Sequence, residues 1–282
     1  MPADDSTDTK GGTGEPAIRA ATVDSNGIEK RQYDHIGLKY NSMHELPAVL
    51  PEKPSVLAAL GDVRGKRCLD LACGTGRYTA FLSQLGACTV HGYDISPAMV
   101  EGAQKTFPSD LYPYLHFAVA DCSKLELLPT PNEPFDLIFA GWFLNYAGTE
   151  SDLTSMFRVI EAHMIERGKF VGITTNVDDP CVTKDKKDFY GLDVEVRNKE
   201  YRDPETGIKL GIVARIRAHT DTPIEIDCFQ FGKEVYERCA DKAGLRLTWK
   251  EVLVPQDAKV NPKYWIRYLE RPTISIIEAV KQ

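Results

Sequence analysis

The sequence is short of several features that would each define a class. No run approaches the roughly 18 uninterrupted apolar residues of a membrane-crossing helix, so no membrane role is expected. The opening MPADDSTDTKGG has neither the basic nor the apolar stretch of an export signal, so a cytoplasmic protein is expected. Cationic charge is scarce: 34 Lys and Arg stand against 41 Asp and Glu, a net of −7. A phosphate backbone is gripped through cationic contacts, so nucleic acid is not an expected partner. Lys184-Asp-Lys186-Lys187 is a local exception. The seven cysteines are odd in number and include no CxxC pair, which fits neither a zinc site nor a disulfide framework. They read as reduced thiols. The six histidines form no ligand set, so no metal is expected.

What is present is an ordinary globular composition, with 43% hydrophobic and 27% charged residues over 282 positions. That length supports a core without disulfide or metal staples. Residues 1–27 are polar, without apolar periodicity, and read as a disordered tail. From Ile28 aromatic and aliphatic residues appear, and Pro47, Pro51 and Pro54 are expected to break any long helix. Short apolar runs then read as buried strands at 67–71, 89–93, 115–119, 135–139 and 169–173. Amphipathic helices are expected at 77–86 and 152–166. Strands alternating with helices imply an α/β, doubly wound parallel sheet. Residues 176–222 break that rhythm with a hairpin turning at Asp203-Pro-Glu-Thr-Gly207. The core pattern is expected to return with a strand at 224–231, a helix at 233–243 and a strand at 245–254. The expectation is one domain over 28–282, with residues 176–222 as an inserted β-hairpin.

The most informative stretch is Cys68-Leu-Asp-Leu-Ala-Cys-Gly-Thr-Gly-Arg77. A buried strand ends near Asp70 and a tight Gly74-x-Gly76 turn leads into a helix. Glycine lets a ligand approach the backbone closely. A dinucleotide site wants G-x-G-x-x-G, but Thr79 holds the third position and a pyrophosphate would meet Asp70. S-adenosylmethionine has no phosphate and carries an amine and a sulfonium, which suit a carboxylate. Asp94 ends the second strand about 20 residues after Gly74, where a carboxylate accepts from ribose hydroxyls. Asp121 follows the third strand, where one can accept from an adenine amine. Three carboxylates at consecutive strand ends beside a glycine turn make a nucleotide-type ligand the expected reading.

The series LDLACGTG, YDIS, VADCS and FDLIFA resembles the motifs of class I S-adenosylmethionine-dependent methyltransferases over about residues 66–174. The resemblance implies a Rossmann-like methyltransferase sheet and S-adenosyl-L-methionine as cofactor. The family's acidic-x-Gly-x-Gly-x-Gly stands here as Asp70-x-Ala72-x-Gly74-x-Gly76. By resemblance, Asp70 holds the methionine amine and the 72–76 backbone lies under the methionine portion. Asp94 and the adjoining Ile95 meet the ribose side, Asp121 and Cys122 face adenine, and Ala140 offers a carbonyl. Shorter stretches, Tyr33-Asp-His-Ile-Gly37, Ala140-Gly-Trp-Phe-Leu-Asn-Tyr146 and Ile226-Asp-Cys-Phe-Gln-Phe231, resemble toxoflavin synthase-type small-molecule methyltransferases. That narrower likeness implies a small heteroaromatic or secondary-metabolite acceptor.

Methyl transfer from a sulfonium is an in-line displacement that positioning serves more than acid–base chemistry. The acceptor is expected above the fourth strand, where Trp142, Asn145 and Tyr146 could hold a flat ring. Residues 28–55 are the expected lid, with Tyr40 closing over the methionine portion and His35 or His44 as candidate bases. In the insert, Tyr190, Arg197 and Tyr201 are candidates to shape the pocket. Rival readings are a cofactor-binding subunit without turnover and a nicotinamide-dependent oxidoreductase.

Overall fold

The apolar runs become strands because the central ones bury both faces between helices, while the run 115–119, at the sheet edge, buries only Leu115. In the computed structural model, which describes residues 28, 32–125, 128–129, 133–256 and 262–282, they build one mixed sheet. The chain runs α1 (Glu52–Leu60), β1 (Arg67–Leu71), α2 (Arg77–Gln84), β2 (Thr89–Asp94), α3 (Pro97–Thr106), β3 (Leu115–Val119) and β4 (Phe135–Gly141). It continues through α4 (Glu150–His163), β5 (Met164–Thr175), β6 (Lys186–Phe189), β7 (Leu192–Arg202), β8 (Lys209–Ala218) and β9 (Ile224–Phe231). Last come α5 (Lys233–Lys242), β10 (Leu245–Lys250), α6 (Ile266–Glu270) and β11 (Ile274–Lys281). The expected tail, residues 1–27, lies outside the described residues.

The large sheet has the order β10-β11-β5-β4-β1-β2-β3. Strands β1 to β5 pair in parallel, whereas β11 runs antiparallel to both β5 and β10. The expected parallel sheet is thus mixed at one side, since the apolar pattern of β11 carries no sign of its direction. One face buries Val56, Leu60 and Leu82 of α1 and α2, and the other buries Phe157, Ile160 and Tyr236 of α4 and α5. Strand order reverses at β1, between β2 and β4, which opens a crevice at the carboxyl ends of the strands. This is the Rossmann-like methyltransferase fold that the motif series implies.

Three local readings are corrected. The predicted helix 152–166 ends at His163, and Met164 already belongs to β5. Pro54 does not prevent a helix: it sits in the first turn of α1, where its missing N–H costs nothing. The run 224–231 is β9 of a second, antiparallel sheet, order β6-β7-β8-β9, rather than part of the main sheet. The hairpin arms β7 and β8 form the centre of that sheet, and β9 pairs with β8 from Gly211↔Phe231 to Ala218↔Ile224. The 3-10 turns of residues 32–49 bridge the two sheets. Asp34 accepts from Ser96 Oγ at 2.5 Å, and Gln32 Nε2 donates to the Asp227 carbonyl at 3.0 Å.

Candidate active site

Two adjoining cavities lie at the carboxyl ends of β1, β2 and β4. They share Tyr33, Tyr40, Ala72, Gly74 and Tyr146 as a common wall.

The first cavity has about 400 Å³ of free space, within the range of small-molecule sites (about 300–1,000 Å³). The glycine turn forms its floor. Ala72 and Gly74 both have φ +55°, a left-handed conformation that costs a non-glycine residue roughly 1–2 kcal/mol. A Cβ added at Gly74 would meet nothing within 4 Å, so the backbone there is open to a ligand. Asp94 closes the turn from β2. Its Oδ2 accepts from Gly74 N at 2.8 Å and its Oδ1 from Ser96 N at 2.9 Å. Each oxygen keeps a lone pair for a further donor. Burial raises the Asp94 carboxyl above the usual range, against those two N–H bonds, which lower it. Asp121 Oδ1 accepts from Ser123 N at 3.0 Å and Ser123 Oγ at 2.6 Å. Ile95 and Cys122 complete this part of the wall, and Asp152 and Glu205 join it from α4 and the β7–β8 turn. Among the described residues, the charged lining is four carboxylates with no lysine or arginine. Such a cavity repels a pyrophosphate and suits a cationic adenosyl ligand, so the residues fit S-adenosylmethionine and disfavour a dinucleotide.

Three expected cofactor residues stand off the cavity wall. Asp70 is 1% exposed, and its Oδ2 accepts from Thr79 Oγ1 of α2 at 2.6 Å. It ties the strand to the helix behind the turn. Burial pushes its carboxyl up to about 7, while the Thr79 hydrogen bond lowers it. Gly76 caps α2 at φ +85°, and a Cβ there would meet Phe117 at 2.9 Å. Ala140 is buried within β4.

The second cavity is narrower, about 130 Å³, and lies between residues 33–52, the β4 loop, the antiparallel sheet and residues 271–273. Tyr33 and Tyr146 share a hydrogen bond through their hydroxyls. Tyr40 packs edge-on against Tyr33 at 5.6 Å and His44 at 5.4 Å. Burial, first, holds the Tyr33 and Tyr146 phenols well above the usual value; Tyr146 adds to the rise at Tyr33 and Cys228 to that at Tyr146, while the shared hydrogen bond lowers Tyr146, so both are neutral donors. Burial, helped by Arg77, lowers His44 to about 4, which leaves a neutral imidazole facing this cavity. His35 is exposed and lines neither cavity.

Trp142 lines the second cavity in a left-handed conformation, φ +64°. A buried carboxylate holds it there: Glu52 Oε1 accepts from Trp142 Nε1 at 2.9 Å, while Oε2 accepts from Arg77 at 3.0 Å and Tyr78 at 2.9 Å. Asn145 also lines this cavity, but both its amide hydrogens are committed, to Thr175 Oγ1 at 3.3 Å and the Phe229 carbonyl at 3.1 Å. It ties the β4 loop to β5 and β9 rather than offering a free edge. Tyr190, Arg197 and Tyr201 line neither cavity. Tyr190 stacks on Trp265 at 5.5 Å, Arg197 pairs with Glu195, and Tyr201 donates to the Gly148 carbonyl. Trp265 therefore packs the C-terminal segment. Glu52, Arg77, Asp179 and Arg271 are cavity residues that sequence reasoning missed. Only the basic run containing Lys184 and Lys186 gave a signal.

The fold is Rossmann-like, and comparison with known proteins finds methyltransferases among those it resembles. Residues 68–168 match the family model described as a methyltransferase domain. The chain is 28% identical over 145 residues to malonyl-[acyl-carrier protein] O-methyltransferase of Halorhodospira halophila, covering 50% of this chain and 45% of that one. It is 32% identical over 136 residues to the ubiquinone/menaquinone biosynthesis C-methyltransferase of Erwinia tasmaniensis, covering 46% and 53%. The chain thus spans about half the length of the curated relatives it matches. An S-adenosylmethionine-dependent methyltransferase structure from Mesorhizobium loti shares the fold, with TM-score 0.56 and 21% identity, covering 81% of this chain and 97% of that chain.

Proposed function

We propose that the protein is an S-adenosyl-L-methionine-dependent methyltransferase that acts on a small organic acceptor. The observation that carries this reading is the junction of the two cavities: a site whose charged lining, among the described residues, is carboxylate, over an open glycine turn, meets a second tyrosine-walled site at Ala72 and Gly74. In this reading Asp94 accepts from the ribose hydroxyls, and Asp121 with the Cys122 backbone meets adenine. The 72–74 backbone underlies the methionine portion. The cofactor supplies an activated methyl group. The protein's part is alignment and exclusion of water, which Tyr33, Tyr40 and Tyr146 perform at the shared wall. Residues 32–49 act as the lid. His44 is the candidate base where the acceptor must lose a proton, since its imidazole is neutral above about pH 4. The aromatic walls support a flat, heteroaromatic acceptor of the kind the toxoflavin synthase-type resemblance implies. The free thiols of Cys68, Cys73, Cys122, Cys228 and Cys239, all buried, support a cytoplasmic setting.

The test is incubation of the protein with a metabolite extract and trideuteromethyl-labelled cofactor, read by mass spectrometry. A product that has gained one CD3 in place of a hydrogen is expected, together with S-adenosylhomocysteine. Cofactor binding without any labelled product from extracts or small-acceptor panels would contradict turnover.

A further inference from the structure

The second cavity differs from the first in charge. Its lining holds four cations, Arg77, Lys184, Lys186 and Arg271, against two carboxylates, Glu52 and Asp179, in a protein of net charge −7. Arg77 is matched by Glu52 at 3.0 Å. For the other three cations the lining holds one carboxylate, Asp179, with which Lys186 and Arg271 pair. Asp179 has a side chain 4% exposed and takes Arg271 Nη2 at 3.0 Å and Lys186 Nζ at 3.1 Å. It also accepts Arg271 Nε at 3.0 Å and Cys181 N at 2.8 Å, so its oxygens are saturated. Lys186 spends one more N–H on the Pro272 carbonyl at 3.2 Å, and Arg271 Nη2 donates to the Cys181 carbonyl at 2.8 Å. Among the described residues, Arg271 Nη1 and Lys184 Nζ have no acceptor. The cluster therefore brings three cations and one carboxylate to the lining, with Lys184 at an exposed position. Between it and the tyrosines the wall is apolar, with Val182, Leu192, Val194 and Ile226.

We infer that this cavity takes an acceptor with a small apolar body and an oxyanion, a carboxylate or phosphate, held by Arg271, Lys184 and Lys186. Charge-assisted bonds to an oxyanion are stronger than neutral ones, and a cationic wall with unused donors favours an anion over its neutral isostere. The basic run Lys184-Asp-Lys186-Lys187 thereby serves a small ligand rather than nucleic acid. The inference rests on the methyltransferase reading for calling this ligand the acceptor.

The experiment titrates the full-length protein, saturated with S-adenosylhomocysteine, with matched pairs: 4-hydroxybenzoate and 4-hydroxybenzamide, then phenyl phosphate and phenol. Calorimetry or ligand-observed NMR supplies the affinities. The anion of each pair is expected to bind about tenfold or more tightly, the worth of one charge-assisted hydrogen bond. The carboxylate and phosphate arms identify which oxyanion is preferred. Lys184→Gln, at an exposed position that does not threaten folding, and Arg271→Gln should each reduce that preference several-fold and leave S-adenosylhomocysteine affinity unchanged. Equal binding of anion and neutral partner, no saturable binding of either anion, or a preference untouched in both variants would overturn the inference. Failure of S-adenosylhomocysteine itself to bind would instead strike the methyltransferase reading.

Discussion

The two cavities meet at Tyr40 and Tyr146, yet they are built in opposite ways. The first takes its charge from Asp94, Asp121, Asp152 and Glu205, and most of its wall comes from strand ends and the turns that follow them. The second is walled by residues 33–52, the β4 loop, the antiparallel sheet and residues 271–273, and its cations outnumber its carboxylates. In the proposed reading, the carboxyl edge of the large sheet forms a donor site and, across three tyrosines, an acceptor site of opposite sign. On that reading the donor side is a property of the α/β core, while the acceptor side belongs to the added antiparallel sheet and the segment that bridges it to the core.

The sharpest way to break this comparison is to disable one cavity and measure both. Asp94→Ala removes a carboxylate that faces the first cavity and also anchors Gly74 N and Ser96 N. Loss of two charge-assisted bonds to a ribose should weaken S-adenosylhomocysteine binding about a hundredfold, measured by calorimetry. Anion binding in the second cavity should persist. If both fall together, the cavities are not independent.

A smaller effect is expected from Trp142→Phe. The indole N–H donates to the buried Glu52 carboxylate, and hydrogen bonds to charged groups contribute about 1.5–3 kcal/mol. Phenylalanine keeps the ring and drops that donor. Urea unfolding should show a stability loss of this order, with S-adenosylhomocysteine affinity unchanged and acceptor affinity reduced.

A further effect is one of pH. The folded Asp70 carboxyl sits at about 7 against an ordinary value of 3.8. Between those values the folded state binds more protons than the unfolded one, so Asp70 costs stability increasingly as pH rises from about 4 to about 7. Asp70→Asn, which does not titrate and still accepts from Thr79, should be more stable relative to wild type at about pH 8 than at about pH 5. A difference constant across that window, in urea unfolding at both pH values, would contradict burial as the cause.

The lining of the first cavity was largely legible because its signals are local. Asp94 and Asp121 each lie at or just after a strand end, and Gly74 lies in the turn between a strand and its helix. Even there, sequence could not say that Asp70 accepts from Thr79, because strand ends do not fix a side chain's partner. The run 224–231 was legible as a strand and misplaced, since an apolar strand reads alike in either sheet. The acceptor side was mostly illegible. Arg271 meets Asp179 across 92 residues, and Trp142 meets Glu52 across 90. No periodicity or spacing records such pairs. The same limit explains Asn145, whose position after β4 was read correctly while its partners on β5 and β9 were not foreseeable.

The most direct measurement of the central claim is a calorimetric titration of the wild-type protein with S-adenosylhomocysteine and, in parallel, with NAD. The first cavity, whose charged lining among the described residues is carboxylate, predicts saturable one-to-one binding of S-adenosylhomocysteine and none of NAD, whose pyrophosphate that wall repels. No binding of S-adenosylhomocysteine, or binding of NAD with equal affinity, would contradict the account.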